Sequence, residues 1–263
     1  MVVGGISIVG GGNMGGALAR GLIEAGLSAA DLTIVEIDAT KHAALASSFP
    51  GATITSTIGS CTNAVIAVKP ADAAAATHEA VVHGATTVLS IAAGVTLAKL
   101  AAAAGPGVAV IRAMPNTPAL VGEGASAFAL GLDCGPAAAG FATAVLGSVG
   151  LAVQVEERLL DAVTGLTGSG PAYLFYVAEA LIAAGVAEGL DTATAESLVR
   201  QLFLGAGTLL ARSPESPTRL RENVTSPNGT TAAGLAALSD AGGREAFLAA
   251  VRAATARSIE LGR

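Results

Sequence analysis

The chain contains no tryptophan, and its two tyrosines and six phenylalanines make aromatics only 3% of 263 residues. Hydrophobic residues nevertheless reach 52%, much of it alanine. That balance predicts close-packed, alanine- and glycine-rich helices rather than a membrane protein. Cysteine is almost absent too. Cys61 and Cys134 have no Cys-x-x-Cys spacing and no neighbouring histidine. This argues against a disulfide framework or a metal site and predicts buried thiols of a cytoplasmic protein. Basic clustering is missing: the net charge is −6 and no basic stripe appears, which argues against nucleic acid as a partner. Uncharged runs long enough to mislead are few. Residues 1–19 lack a basic n-region and hold a glycine turn, so they do not read as a signal peptide. Residues 135–155 contain Pro136 and four glycines, and read as helix, turn and strand rather than a bilayer span. His42, His78 and His83 fall away from the motifs below and read as surface histidines.

What the sequence does contain begins at once. Ile6 to Gly15 reads Ile-Ser-Ile-Val-Gly-Gly-Gly-Asn-Met-Gly: a short β-branched run, a glycine cluster, then a helix-forming segment from Ala17 to Ala25. Gly10-x-Gly12-x-x-Gly15 in that setting has the form of a dinucleotide-binding turn. Gly10 permits the tight turn, Gly12 lets the backbone approach a diphosphate, and Gly15 lets the helix pack on its strand. The helix N-terminus would present free N–H groups and partial positive charge to the anion. Asn13 and Met14 lie within the same turn.

Apolar runs suited to buried parallel strands follow at Ile6–Val9, Leu32–Ile37, Ala64–Val68, Thr87–Ile91 and Val108–Arg112. Helical patterns alternate with them at 17–25, 41–48, 71–82 and 97–103. Further strands at Ala125–Leu130 and Leu151–Val155, around a helix at Ala137–Leu146, complete an α/β domain. This is a Rossmann-type, doubly wound parallel sheet. Beyond Glu156 only helical segments remain, near 157–166, 172–185, 192–211, 218–223, 231–238 and 245–261, with Asp191 a plausible N-cap. The chain therefore divides into a dinucleotide-binding domain, residues 1–156, and an all-α dimerisation and substrate domain, residues 157–263. Apolar side chains around Leu198–Leu210 fall on more than one helix face, which suits a helix-swapped dimer. The alternative is a tight monomeric bundle.

Several positions carry chemistry. Glu36 ends the second predicted strand about twenty residues beyond Gly15, where a carboxylate meets the adenosine ribose and repels a 2′-phosphate. Asp38 adds negative charge, and only Lys41 opposes it. Taken alone this favours NAD(H); a solvated strand-end carboxylate is the alternative. Ala67-Val68-Lys69-Pro70 and Ser90-Ile91-Ala92-Ala93-Gly94 follow two strands, at the carboxyl edge where such sheets bind ligands. Lys69 reads as a cofactor-side or structural lysine, or as a Schiff-base nucleophile if it is desolvated. Arg112-Ala113-Met114-Pro115-Asn116-Thr117-Pro118 is a proline-fixed loop in which Asn116 and Thr117 offer neutral hydrogen bonds. Thr167-Gly168-Ser169-Gly170-Pro171 reads as a rigid small-residue turn. Asn223 to Thr231, Asn-Val-Thr-Ser-Pro-Asn-Gly-Thr-Thr, enters a helix, and free N–H groups with the hydroxyls of Ser226, Thr230 and Thr231 would suit a carboxylate.

These motifs, in order and nearly end to end, resemble the pyrroline-5-carboxylate reductase family. Asn228 stands where the family usually has a second glycine, a mild change because Asn tolerates left-handed geometry. Glu36 replaces the small or hydroxylic residue common in NADPH-preferring members. The resemblance implies NAD(P)H-dependent reduction of (S)-1-pyrroline-5-carboxylate to L-proline, the last step of proline biosynthesis. A protonated cyclic imine is already a good hydride acceptor, so little acid–base machinery is needed, only placement. It implies that Thr231 acts catalytically by bonding the ring nitrogen. Ser226, Gly229 and Thr230 would help hold the carboxylate, and Asn223 would touch cofactor or a neighbouring chain. Gly10, Gly12, Asn13, Met14, Gly15, Glu36, Ala67, Val68, Lys69, Pro70, Ala92 and Ala93 would line the cofactor. No metal is expected. Partners are the substrate, the product and a second copy in a homodimer, with rings of dimers known in the family; neither nucleic acid nor membrane is expected. Two rival readings are another Rossmann imine or β-hydroxyacid oxidoreductase and a non-catalytic nucleotide-binding scaffold. The former usually needs a lysine on the first long helix of the second domain, and Leu166 to Val186 contains none.

Overall fold

A computed structural model describes residues 5–262; the outermost ends of the two expected domains, residues 1–4 and 263, lie outside them. Eight strands form one sheet in the order β3-β2-β1-β4-β5-β6-β7-β8. They are β1 Ile6–Val9, β2 Leu32–Val35, β3 Thr53–Thr55, β4 Asn63–Ile66, β5 Thr87–Ser90, β6 Ala109–Met114, β7 Gly124–Leu130 and β8 Gly150–Gln154. Every pair is parallel except β6 with β7. The sheet is thus the expected doubly wound, parallel-dominated one, with a single reversal at β7. The link from β6 to β7 is a short loop with one 3₁₀ segment, Thr117–Val121. Too short for a helical crossover, it returns the chain antiparallel. β3 was not foreseen; its three residues are too few for a period-2 pattern to show.

Helices α1 Asn13–Glu24, α2 His42–Ser48, α3 Ala73–Val82, α4 Leu97–Ala104 and α5 Pro136–Gly147 cover the sheet. Alternate strand residues feed two cores. Ile6, Ile8, Leu32 and Ile34 pack with α1, α2 and α5 residues such as Leu18, Leu45 and Leu146. Val9, Val35, Ala64 and Ile66 pack with α3 and α4 residues such as Ala80 and Leu100. Burial on both faces explains why these strands read as continuous apolar runs. A lone polar strand, by contrast, would alternate.

From Glu157 the chain is helical: a 3₁₀ turn at Glu157–Leu159, α6 Leu160–Val163 and a π-helical segment Thr164–Gly168. Then come α7 Gly170–Ala187, α8 Thr192–Arg212, α9 Pro217–Asn223, α10 Thr230–Asp240 and α11 Gly243–Gly262. The expected turn at Thr167–Pro171 is therefore a correction: the backbone stays helical, and the Ser169 N–H donates to the Thr164 carbonyl at 2.8 Å. This i→i−5 bond is that of a π-bulge. Asp191 does cap α8, accepting the Thr194 N–H at 3.0 Å.

Described residues up to Ser169, with those from Arg252 onward, pack as one compact unit, and Gly170–Val251 as another. The packing division thus differs from the 156/157 boundary. Leu160 is fully buried in the α3–α4 core, and Ser258 Oγ donates to Asp161 Oδ1 at 2.7 Å; both ties fasten late segments to the sheet. In the second unit α7 and α8 pack together, yet only Pro171, Ala195 and Val199 of its residues are buried. Phe175, Tyr176, Leu198, Leu202, Leu204 and Leu238 are all more than half exposed.

Candidate active site

The glycine turn is built as its sequence predicts, with one adjustment. α1 begins at Asn13, not near Ala17, so Asn13, Met14 and Gly15 form its first turn. Gly10 has φ +112°, a left-handed conformation that side chains rarely adopt, and its N–H donates to the Val35 carbonyl at 2.8 Å. A Cβ on Gly10 would strike the Ala67 carbonyl, and one on Gly15 the Gly10 carbonyl. Gly12 differs: a Cβ there meets no protein atom within 4 Å. It is the N-cap of α1, and no side chain caps that end. The protein's own packing does not require glycine at 12, whereas a diphosphate seated over the uncapped N-terminus would.

A cleft of about 560 Å³ opens beside this turn, lined among others by Gly10, Gly12, Glu36, Ile37, Lys41, Ala67, Val68 and Lys69. Its β2 end is elaborately held. Glu36 is only 8% exposed; its Oε1 accepts the Asp38 N–H at 3.0 Å, and its Oε2 lies 3.7 Å from Lys41 Nζ. Asp38 Oδ2 lies equally 3.7 Å from Lys41 Nζ. The Thr40 hydroxyl first, and then its N–H, hold the Asp38 carboxyl below the usual carboxylate range. His42 corrects an expectation. It does not stand apart from the motifs, because its Nε2 lies 2.6 Å from the Glu36 carbonyl oxygen. A carbonyl only accepts, so Nε2 carries the proton. Ser56 and Ile58 also line the cleft, contributed by the loop that follows the unforeseen β3.

The nicotinamide-side candidates separate. Ala67, Val68 and Lys69 line this cleft, whereas Pro70, Ala93 and Gly94 line an adjoining hollow of about 510 Å³ with Lys99 and Leu261. Ala92 is 4% exposed and belongs to the core. Lys69 is exposed, which removes the desolvation a Schiff-base lysine needs. Asn116 is a further correction: its Nδ2 donates to the Thr167 carbonyl at 3.0 Å and its Oδ1 accepts the Ala125 N–H at 2.8 Å. Both ends of the amide serve the fold, bracing the proline loop against β7 and the π-bulge. Cys61 is buried and Cys134, expected buried, is half-buried; desolvation pushes both thiols up.

One group went unread in the sequence. Arg112, 6% exposed in β6, pairs with Glu157 Oε1 at 3.2 Å and Asp161 Oδ1 at 3.4 Å. Glu157 Oε1 also accepts the Leu97 N–H at 2.7 Å. The available signal was an arginine inside an apolar strand, which must be paired if buried.

In the second unit, the acid-binding candidates cluster on one turn. Asn228 has φ +58° and is the lone non-glycine residue with positive φ among those described, so it adopts the left-handed geometry expected of it. That conformation carries the chain from Ser226 to Gly229, whose N–H donates to the Ser226 carbonyl at 3.1 Å. Gly229 is the N-cap of α10, again without a side-chain cap. Thr230 and Thr231 therefore stand, exposed, in a first turn with unclaimed N–H groups. Asn223 Nδ2 donates to Glu215 Oε2 at 2.8 Å.

Comparison with known proteins adds the following. Residues 157–261 match the family described as pyrroline-5-carboxylate reductase dimerisation, and residues 5–94 match NADP oxidoreductase, coenzyme F420-dependent. A pyrroline-5-carboxylate reductase of Mycobacterium tuberculosis (strain CDC 1551 / Oshkosh) is 39% identical over 97% of this chain and 96% of its own. The solved pyrroline-5-carboxylate reductase of Coxiella burnetii superposes with a TM-score of 0.94 at 31% identity, covering 100% of both chains. A Plasmodium falciparum pyrroline carboxylate reductase with NADP bound gives 0.82 at 27% identity over 98% of both.

Proposed function

The chain belongs to the pyrroline-5-carboxylate reductase family, and from that premise we infer that it reduces (S)-1-pyrroline-5-carboxylate to L-proline with NAD(P)H. The observation that carries this reading is the pair of helix N-termini left without side-chain caps. One stands behind Gly12 and the other behind Gly229. Each suits an anion, and the reactants bring two: a diphosphate and a carboxylate.

The residues fit a dinucleotide. N–H groups of Gly12, Asn13, Met14 and Gly15 take the diphosphate, with Gly10 shaping the turn. Glu36 receives the adenosine ribose hydroxyls, and Ile37 and Ile58 give apolar walls. Ala67 to Lys69 form the nicotinamide side of the cleft, with Pro70 and Ala93 continuing it in the second hollow and Ala92 supporting them from the core, and Asn223 touches cofactor or the neighbouring chain. Once bound, the reduced dinucleotide supplies a hydride. Ser226, Gly229 and Thr230 hold the substrate carboxylate. With the ring nitrogen protonated, the Thr231 hydroxyl oxygen accepts its N–H and fixes the imine carbon's orientation. Placement of this kind, without a perturbed acid or base, is sufficient for an activated imine.

Glu36 makes NADH at least as good a reductant as NADPH. The exposed apolar helices of the second unit pair with a second copy in a homodimer. They are not a bilayer anchor: the stretch 157–187 is long and apolar enough to cross a membrane, but it carries the π-bulge and Glu179 within it. The two free cysteines support a cytoplasmic location. A β-hydroxyacid dehydrogenase would usually place a lysine on α7, which has none. Following NADH and NADPH oxidation spectrophotometrically with pyrroline-5-carboxylate tests the assignment. Turnover with both is expected; no turnover by a folded protein that binds nucleotide would leave only a scaffold. A hundredfold advantage of NADPH in kcat/KM would overturn the reading of Glu36.

A further inference from the structure

Three charged side chains meet at the β2 end of the cleft, and they are not equally free. Glu36 is buried and pinned by the Asp38 N–H at 3.0 Å, and its backbone carbonyl is held by His42 at 2.6 Å. Asp38 is pinned by the Thr40 N–H and hydroxyl at 3.0 and 2.6 Å. Lys41 is not held so firmly. Its side chain is 53% exposed, and its ammonium sits 3.7 Å from each carboxylate, beyond the range of a direct charge-assisted hydrogen bond. A four-carbon stem lets such a group relocate at little cost. The arrangement is a fixed carboxylate beside a mobile cation, both lining the same cleft.

A ribose 2′-hydroxyl needs only the carboxylate. A 2′-phosphate, with about −1.5 to −2 charges, meets repulsion from Glu36 unless a cation moves between them. We propose that Lys41 is a specificity-determining residue, a movable counter-charge that lets a cleft built around Glu36 accept a 2′-phosphorylated adenosine as well as the plain ribose. This rests on reading the cleft as the dinucleotide site. Lys69 lines the cleft too, but it follows β4, two positions across the sheet from β2.

The test uses adenosine fragments, so it does not depend on turnover. Calorimetry on the full chain measures adenosine 2′,5′-bisphosphate against adenosine 5′-monophosphate, for the parent, Lys41→Gln, Lys41→Arg and Glu36→Gln. In K41Q the bisphosphate should weaken relative to the monophosphate by at least about tenfold. K41R should keep the parent ratio within a factor of about three, and E36Q should move it toward the bisphosphate. The NADPH-to-NADH ratio of kcat/KM should follow in the same order. An unchanged ratio in K41Q, or equal weakening of both fragments, overturns the proposal. If the parent binds neither fragment nor either dinucleotide, it is the nucleotide site itself that fails. Because Lys41 is half-exposed, K41Q should melt with the parent, and a circular dichroism scan confirms that folded protein is being compared.

Discussion

Replacing Gly12 by alanine separates two reasons for a glycine that sequence alone cannot tell apart. Gly12 sits at φ −72° and ψ −171°, extended backbone that any residue adopts, and its new Cβ would meet no protein atom within 4 Å. Alanine is a poorer N-cap than glycine, but it gains about 0.4–1 kcal/mol by restricting the unfolded chain. The two nearly cancel, so stability should change by less than about 1 kcal/mol and Tm by no more than about 2–4 °C. Binding should respond differently. A methyl group placed where the diphosphate must approach overpacks that contact by about 1–3 kcal/mol, a Kd roughly 5- to 150-fold weaker. Gly15→Ala provides the contrast. Its Cβ would strike the Gly10 carbonyl and crowd Ile8 Cγ2 at 3.2 Å, so it should lose fold and binding together. Thermal melting and fluorescence titration with NADH read both quantities. If G12A binds NADH as tightly as the parent, or melts as early as G15A, the argument from open space is wrong.

Three further outcomes are expected. Thr231→Ala should lower kcat/KM for proline formation at least about tenfold, ~1.4 kcal/mol of transition-state stabilisation, with Thr231→Ser recovering most of it; a folded T231A with parental kinetics removes Thr231 from the mechanism. Ser258→Ala deletes a 2.7 Å hydrogen bond to Asp161 and should cost about 1–2 kcal/mol, seen as a Tm several degrees lower with the Kd for NADH retained. A parental Tm would mean that water replaces the hydroxyl freely. Glutamates at both Phe175 and Leu202, 64% and 54% exposed, should convert a dimer to monomer in sedimentation velocity, and a persistent dimer would place the interface elsewhere.

The sequence was legible where local chemistry sufficed. β1, the glycine turn and α1 sit in consecutive residues, so strand, φ-positive turn and helix could be read from one window. The Asp191 cap and the left-handed Asn228 are similarly local. Long-range polar pairing was not legible. Asn116 looked available because its partners, Ala125 and Thr167, are adjacent only once β7 and the π-bulge are in place. His42 looked idle because the 3₁₀ turn Ala39–Lys41 is what folds it back on the end of β2. The π-bulge itself disguised a continuous helix as a turn, since Thr-Gly-Ser-Gly-Pro is made entirely of residues common in turns. Arg112 found its carboxylates 45 and 49 residues away, beyond any local pattern.

The two units differ in how far each can stand alone, and that difference bears on why this reaction suits this chain. The sheet unit buries two cores and shapes the nucleotide cleft from its own residues. The helical unit buries almost nothing by itself, so in the proposed homodimer it is a second copy that would complete the frame around the turn bearing Ser226 to Thr231. A reductase that relies on placing a protonated imine needs a rigid frame around small polar groups, and burial of α7 and α8 in the proposed dimer would supply that rigidity. The scarcity of aromatic residues fits the same logic. Alanine and glycine faces let helices approach closely, and close approach fixes a threonine hydroxyl more firmly than bulk would.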